Sequence, residues 1–160
     1  MAFRGTMIAL LLALAPPLSA HGPAAATNMS SGLPASARSA AAAVDAFHAA
    51  LRRGDTGAAA NLLASDALIF EGGGVERSRA EYASHHLAAD SAYVRAVPSV
   101  LTRRAGGSNG SMAWIASEGR STGRYKGKEV DRVTAETVVL RRFGRAWKIV
   151  HIHWSSAAKP

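Results

Sequence analysis

The stretch ETVVLRRFGRAWKIVHIHWS, Glu136–Ser155, alternates apolar and polar side chains on both sides of Phe143-Gly144. A period of two belongs to strands, and a glycine between two such runs marks a tight turn, so the stretch predicts an antiparallel hairpin. With Phe143-Gly144 in the turn, Leu140 faces Trp147, Val138 faces Ile149, Glu136 faces His151 and Thr134 faces His153 on one face. The opposite face carries Val133, Ala135, Thr137 and Val139 beside Val150, Ile152 and Trp154, with Lys148 at its end. Both faces need cover, and the chain has helices enough for one. The face of Val150, Ile152 and Trp154 is therefore expected to meet a second copy in a homodimer. A bulged loop would keep each strand's parity while shifting which residues sit opposite one another.

Working back from the hairpin, segments rich in Val, Ile, Thr and Trp predict further strands at about 97–104, 112–120 and 129–142, with the closing strand at 146–155. Glycine-containing connections at 105–111 and 125–128 separate them. Upstream the period changes. Ala40, Val44, Phe47 and Leu51 recur at helical spacing up to Arg53-Gly54, and Asp55 or Thr56 then caps a shorter helix carrying Leu62 and Leu63. Residues 67–71 read as a short strand, Gly72-Gly73-Gly74 as a loop, and Ser78-Arg79-Ala80-Glu81 as a capping box opening a third helix to about Asp90. Arg53-Gly54-Asp55 is explained as a helix stop followed by a cap, and the three glycines lack the Lys-Ser/Thr of a phosphate loop. Helices first and an antiparallel sheet afterwards make an α+β domain.

The hairpin Glu136–Ser155, and within it Trp147-Lys148-Ile149-Val150-His151-Ile152-His153, resembles the closing hairpin of SnoaL-like domains. These domains belong to the nuclear-transport-factor-two-like superfamily, and the hairpin is also similar to the end of the calcium/calmodulin-dependent protein kinase association domain. The resemblance covers residues 37–156. It implies a cone: a curved antiparallel sheet packed on about three N-terminal helices, with an open pocket at its wide end and dimerisation through the sheet. Members include isomerases, dehydratases, cyclases and pure binding or assembly modules, so the fold leaves the function open.

At the N-terminus Arg4 precedes an apolar run from Met7 to Ala15, then Pro16-Pro17 and the small residues Ser19 and Ala20. This is the layout of a signal peptide over residues 1–20, with no membrane span left after cleavage and a periplasmic or secreted destination. Residues 21–36, poor in large apolar side chains, read as a flexible tether, and 37–156 as one domain. The absence of cysteine leaves the core to stabilise an exported chain and excludes thiolate ligands and nucleophiles. The formal charge of +8, one less without Arg4, favours anionic partners, but its scatter argues against nucleic acid.

The chemistry-bearing residues cluster in type. His85 and His86 sit one turn from Tyr82, and His151 and His153 share a strand face, alongside Glu71, Glu118 and Glu136. His151, His153 and Glu136 form a candidate divalent-metal set, the sole cofactor the pattern suggests. Alternatively Glu136 orients His151 as an acid–base pair, acting on a substrate held against Tyr82 and Trp114, as an isomerase or lyase would. Arg120, Arg124 and Arg132 at the rim suit a small carboxylate. Trp114, Trp147 and Phe70 line a cavity or belong to the core. The main expectation is an exported module that binds a small polar or anionic molecule, or a metal ion.

Overall fold

Five apolar positions at helical spacing, Ala40, Val44, Phe47, Ala50 and Leu51, are all buried on one face of α1, Arg38–Arg53. The computed structural model describes residues 32–159. The signal peptide expected over 1–20, and the tether expected over 21–36 as far as Ser31, lie outside the described residues. The domain begins earlier than residue 37, because Leu33 already packs on the core ahead of a 3-10 turn, Ala35–Ala37. Helix α1 stops where expected, at Gly54, whose φ of 76° is left-handed and suits a residue without Cβ. Asp55 caps α2, Thr56–Leu62, by accepting from the Ala58 N–H at 2.9 Å.

The chain then runs through β1, Leu63–Glu71, turns at Gly72-Gly73, and adds the short β2, Gly74–Glu76. Ser78 caps α3, Arg79–His85, by accepting from the Glu81 N–H at 3.0 Å. The box is not reciprocal, since the Glu81 carboxylate takes the Arg77 N–H instead, at 2.7 Å. The single third helix expected from sequence is two: it breaks at His86, whose imidazole is tied to Glu76 on β2, and resumes as α4, Leu87–Ala96. Strands β3, Ser99–Ser108, β4, Met112–Tyr125, β5, Lys128–Phe143, and β6, Ala146–Ala158, complete a six-stranded curved sheet of order β2-β1-β6-β5-β4-β3. All neighbours are antiparallel except β1 and β6, which run parallel. No helix among the described residues is long and apolar enough to cross a membrane.

The closing hairpin differs from its sequence reading in two ways. Phe143 pairs with Ala146, so Gly144-Arg145 and not Phe143-Gly144 is the turn. A bulge then falls at Val150: Leu140 pairs with Ile149, but Val139 pairs with His151. One extra residue reverses the parity of everything after it. Ile152 is fully buried and Trp154 packs on the core, so Val150, Ile152 and Trp154 do not form an outer face for a partner. Glu136 sits opposite Trp154, not His151, and Thr137, not Thr134, sits opposite His153. The outer face instead presents Leu68, Phe70, Trp114 and Val133, each about two-fifths or more exposed.

Candidate functional site

The core closes one end of the sheet's inner face with Ile115, Val138, Leu140, Trp147, Ile149 and Ile152 against α1. Toward the other end the inner face turns polar along one row. Glu71 pairs with Trp154, Trp154 with Glu136, Glu136 with Ser117, and Ser117 with Arg104, a line across five strands. Helix α1 lays Asp45 and His48 over this row. The Glu136 Oε2 accepts from the Trp154 Nε1–H at 2.7 Å and lies 2.7 Å from the His48 Nε2. Arg104 donates to Asp45 at 2.6 Å and to the Ser117 hydroxyl at 3.1 Å.

All of these residues line one open cavity of about 1130 Å³, which continues past Asp90 and Tyr93 of α4 to a rim carrying Ser99, Ser121, Arg132 and Ser156. Its carboxylates are displaced in opposite directions. Burial pushes Glu136 up, but the His48 hydrogen bond and charge, the Trp154 N–H and Arg104 together hold it below the ordinary glutamate value. Burial raises Glu71, and the Asp90 charge adds to the rise against a smaller pull from His86. Burial also raises Asp90, although it accepts from the Tyr82 hydroxyl at 2.8 Å and feels His86. Tyr82 is itself buried in the core and its phenol is pushed strongly up, first by burial and then by Asp90.

The residues expected from sequence are therefore divided. Glu136, Arg132, Glu118 and His153 are among the cavity's lining, and Tyr82 supports its Asp90 from behind. His151 is not brought to Glu136: its ring packs edge-on to Phe70 and its Nδ1 lies 3.1 Å from the Leu68 carbonyl. The expected Glu136–His151 pairing is not made, Glu136 meeting His48 instead, and the metal set of His151, His153 and Glu136 does not converge, because Glu136 bonds inward while both imidazoles pack edge-on to Phe70. Trp114 is half exposed beside a separate hollow of about 390 Å³ that has no charged lining. Trp147 is core, giving its Nε1–H to the Ser39 hydroxyl at 3.0 Å. Arg120 is held bidentately by Asp131 at 2.8 and 2.7 Å, Arg124 lies 3.3 Å from Glu129, and neither is among the cavity's lining. His85 and His86 gather instead at Glu76. Sequence reasoning missed His48, Asp45 and Arg52. Their spacing of three and four beside the apolar face of α1 is a polar stripe that borders the core, which was the available signal.

The sequence profile of the SnoaL-like domain matches residues 40–159, three-quarters of the chain. The chain belongs to the SnoaL-like family. This SnoaL-like domain is similar, at 38% identity and a TM-score of 0.72, to a candidate ketosteroid isomerase from Shewanella frigidimarina, over 78% of this chain and 100% of that one. It is similar at 21% identity and a TM-score of 0.66 to a candidate dehydratase of the nuclear-transport-factor-two-like family from Streptomyces avermitilis, over 78% and 97% of the two chains. A candidate calcium/calmodulin-dependent protein kinase II association domain from Xanthomonas campestris is similar at 26% identity and a TM-score of 0.63, over 81% and 93%. No curated protein matches the sequence significantly.

Proposed function

We propose that this SnoaL-like domain binds a small organic molecule with a polar or anionic group in the cavity under its sheet. The observation that carries the reading is the polar row itself: charged side chains line an open cavity where the rest of the inner face is apolar. Arg52 and Arg132 also line it without an acidic partner among the described residues, which favours a carboxylate or similar group at the mouth. Thermal shift of the full chain against small mono- and dicarboxylates tests this. A rise in melting temperature that disappears in Arg132→Gln is expected, and no response to any of them overturns the reading.

A second reading, proton transfer of the isomerase or lyase type, is favoured by the His48–Glu136 contact. An ionised Glu136 accepting from the Nε2–H leaves Nδ1 as the lone-pair nitrogen, the form of imidazole that takes a proton. Carboxylates pushed apart in one cavity, Glu136 down and Glu71 and Asp90 up, are the arrangement that separates a base from an acid. The relative named as a ketosteroid isomerase suggests the probe. Solvent-deuterium incorporation into an unsaturated ketosteroid is expected to be lost in His48→Ala with the fold intact, and equal incorporation in that variant overturns it. We also propose export to the periplasm or beyond, on the strength of Arg4 and the apolar run after it. N-terminal sequencing of the mature protein is expected to begin at His21.

A further inference from the structure

We propose that Glu76, Glu81 and His85 form a binding site for a divalent transition-metal ion of zinc-like preference, apart from the cavity's polar row. Glu76 stands on β2, and Glu81 and His85 lie four residues apart, one turn of α3 from each other. One ligand atom from each falls within 4.8 Å of the other two.

The Glu76 carboxylate separates this cluster from an ordinary surface ion pair. Its side chain is 9% exposed; one oxygen, Oε1, meets the His86 Nδ1, while Oε2 is buried and makes no hydrogen bond. A carboxylate oxygen stripped of water and left without a donor is costly unless a cation meets it. The His85 Nδ1 lies 3.4 Å from that oxygen without making a hydrogen bond. Two atoms bound at about 2.0–2.2 Å to one tetrahedral ion stand about 3.3–3.6 Å apart, so the observed spacing is that of two ligands on one metal. Glu81 is already oriented, because its Oε2 holds the Arg77 N–H at 2.7 Å.

The charges also close. Two carboxylates neutralise a divalent ion, neutral imidazole supplies the nitrogen, and the exposed side at His85 leaves room for water as a fourth ligand. His86 on the other Glu76 oxygen is the outer hydrogen bond that fixes a metal-binding carboxylate. The ion would clamp the edge strand β2 to α3, behind the Tyr82–Asp90 side of the cavity.

Calorimetric titration of the chelator-treated full chain with zinc is the test. Expected are saturation at one ion per chain, a higher melting temperature, and visible bands of tetrahedral cobalt on substitution. His85→Ala and Glu81→Gln, which change residues outside the core, are each expected to weaken zinc binding by about tenfold or more with circular dichroism unchanged. His151→Ala/His153→Ala is expected to leave it unaffected. No zinc uptake, or uptake that persists in both His85→Ala and Glu81→Gln, overturns the proposal.

Discussion

Glu136 carries two hydrogen bonds on a single oxygen, and its neighbours depend on it as much as it does on them. Glu136→Ala leaves the Trp154 indole N–H and the His48 imidazole without their acceptor, so a loss of about 1–3 kcal/mol in urea unfolding is expected. The folded carboxyl ionises below its ordinary 4.5, so its contribution is complete above the ordinary glutamate range and disappears as pH falls through the folded value. Asp90 has the opposite sign. Its raised folded pKa means that stability falls as pH climbs from the ordinary 3.8 through the folded value. Asp90→Asn keeps an acceptor for the Tyr82 hydroxyl and removes the buried charge, so it is expected to flatten that decline and to exceed the parent in stability at neutral pH. Residue type alone pointed to Glu136, but not to its partner. That pairing depends on a backbone register set elsewhere in the strand, which side-chain alternation near Glu136 does not report.

At the scale of elements, most of the fold was legible. Helix α1, the Asp55 cap, the Ser78 cap and four long strands follow from periodicity and turn chemistry, because each is decided by neighbours close in the chain. The extra residue at Val150 was not, since nothing in the run Lys148–His153 distinguishes a bulge from continuous alternation. Deleting Val150 is expected to join the Leu140–Ile149 and Val139–His151 pairs into one regular ladder and to leave Ile152 buried. Chemical unfolding is expected to show a loss well below the about 2–5 kcal/mol of removing a large core side chain, and a loss of that size would mean that the inward set had been turned out. Gly106 gives a sharper local test, because a Cβ there would stand 2.8 Å from the Trp114 carbonyl oxygen, the Ile115 side chain and the Leu33 side chain. Gly106→Val is therefore expected to displace Leu33 and lower the melting temperature. The break at His86 escaped the sequence reading for a related reason: the carboxylate that its imidazole meets there, Glu76, stands ten residues earlier and on another element.

For the whole molecule, the homodimer expected from the hairpin stands as a proposal, and we propose the outer sheet face for it. The apolar residues exposed on that face include Leu68, Phe70, Trp114 and Val133. If the dimer forms, Phe70→Asp is expected to give a monomer in sedimentation, whereas Ile152→Asp should unfold the chain. The parallel pairing of β1 with β6 was beyond the sequence reading, since alternation shows that a strand exists but not which strand lies beside it. That pairing also sets a schedule. Strand β1 emerges early in synthesis, yet it lies between β2 and β6, which is made after every other strand among the described residues. Until β6 leaves the ribosome, the sheet has a gap in its middle and Phe47 and Tyr82 lack the Trp154 ring that packs beside them. A nascent chain stopped before Ala146 is expected to be sensitive to protease throughout. Completion of the fold therefore waits for the synthesis of β6, and under the export proposed above a channel that accepts only unfolded chains would have that whole interval in which to engage this one.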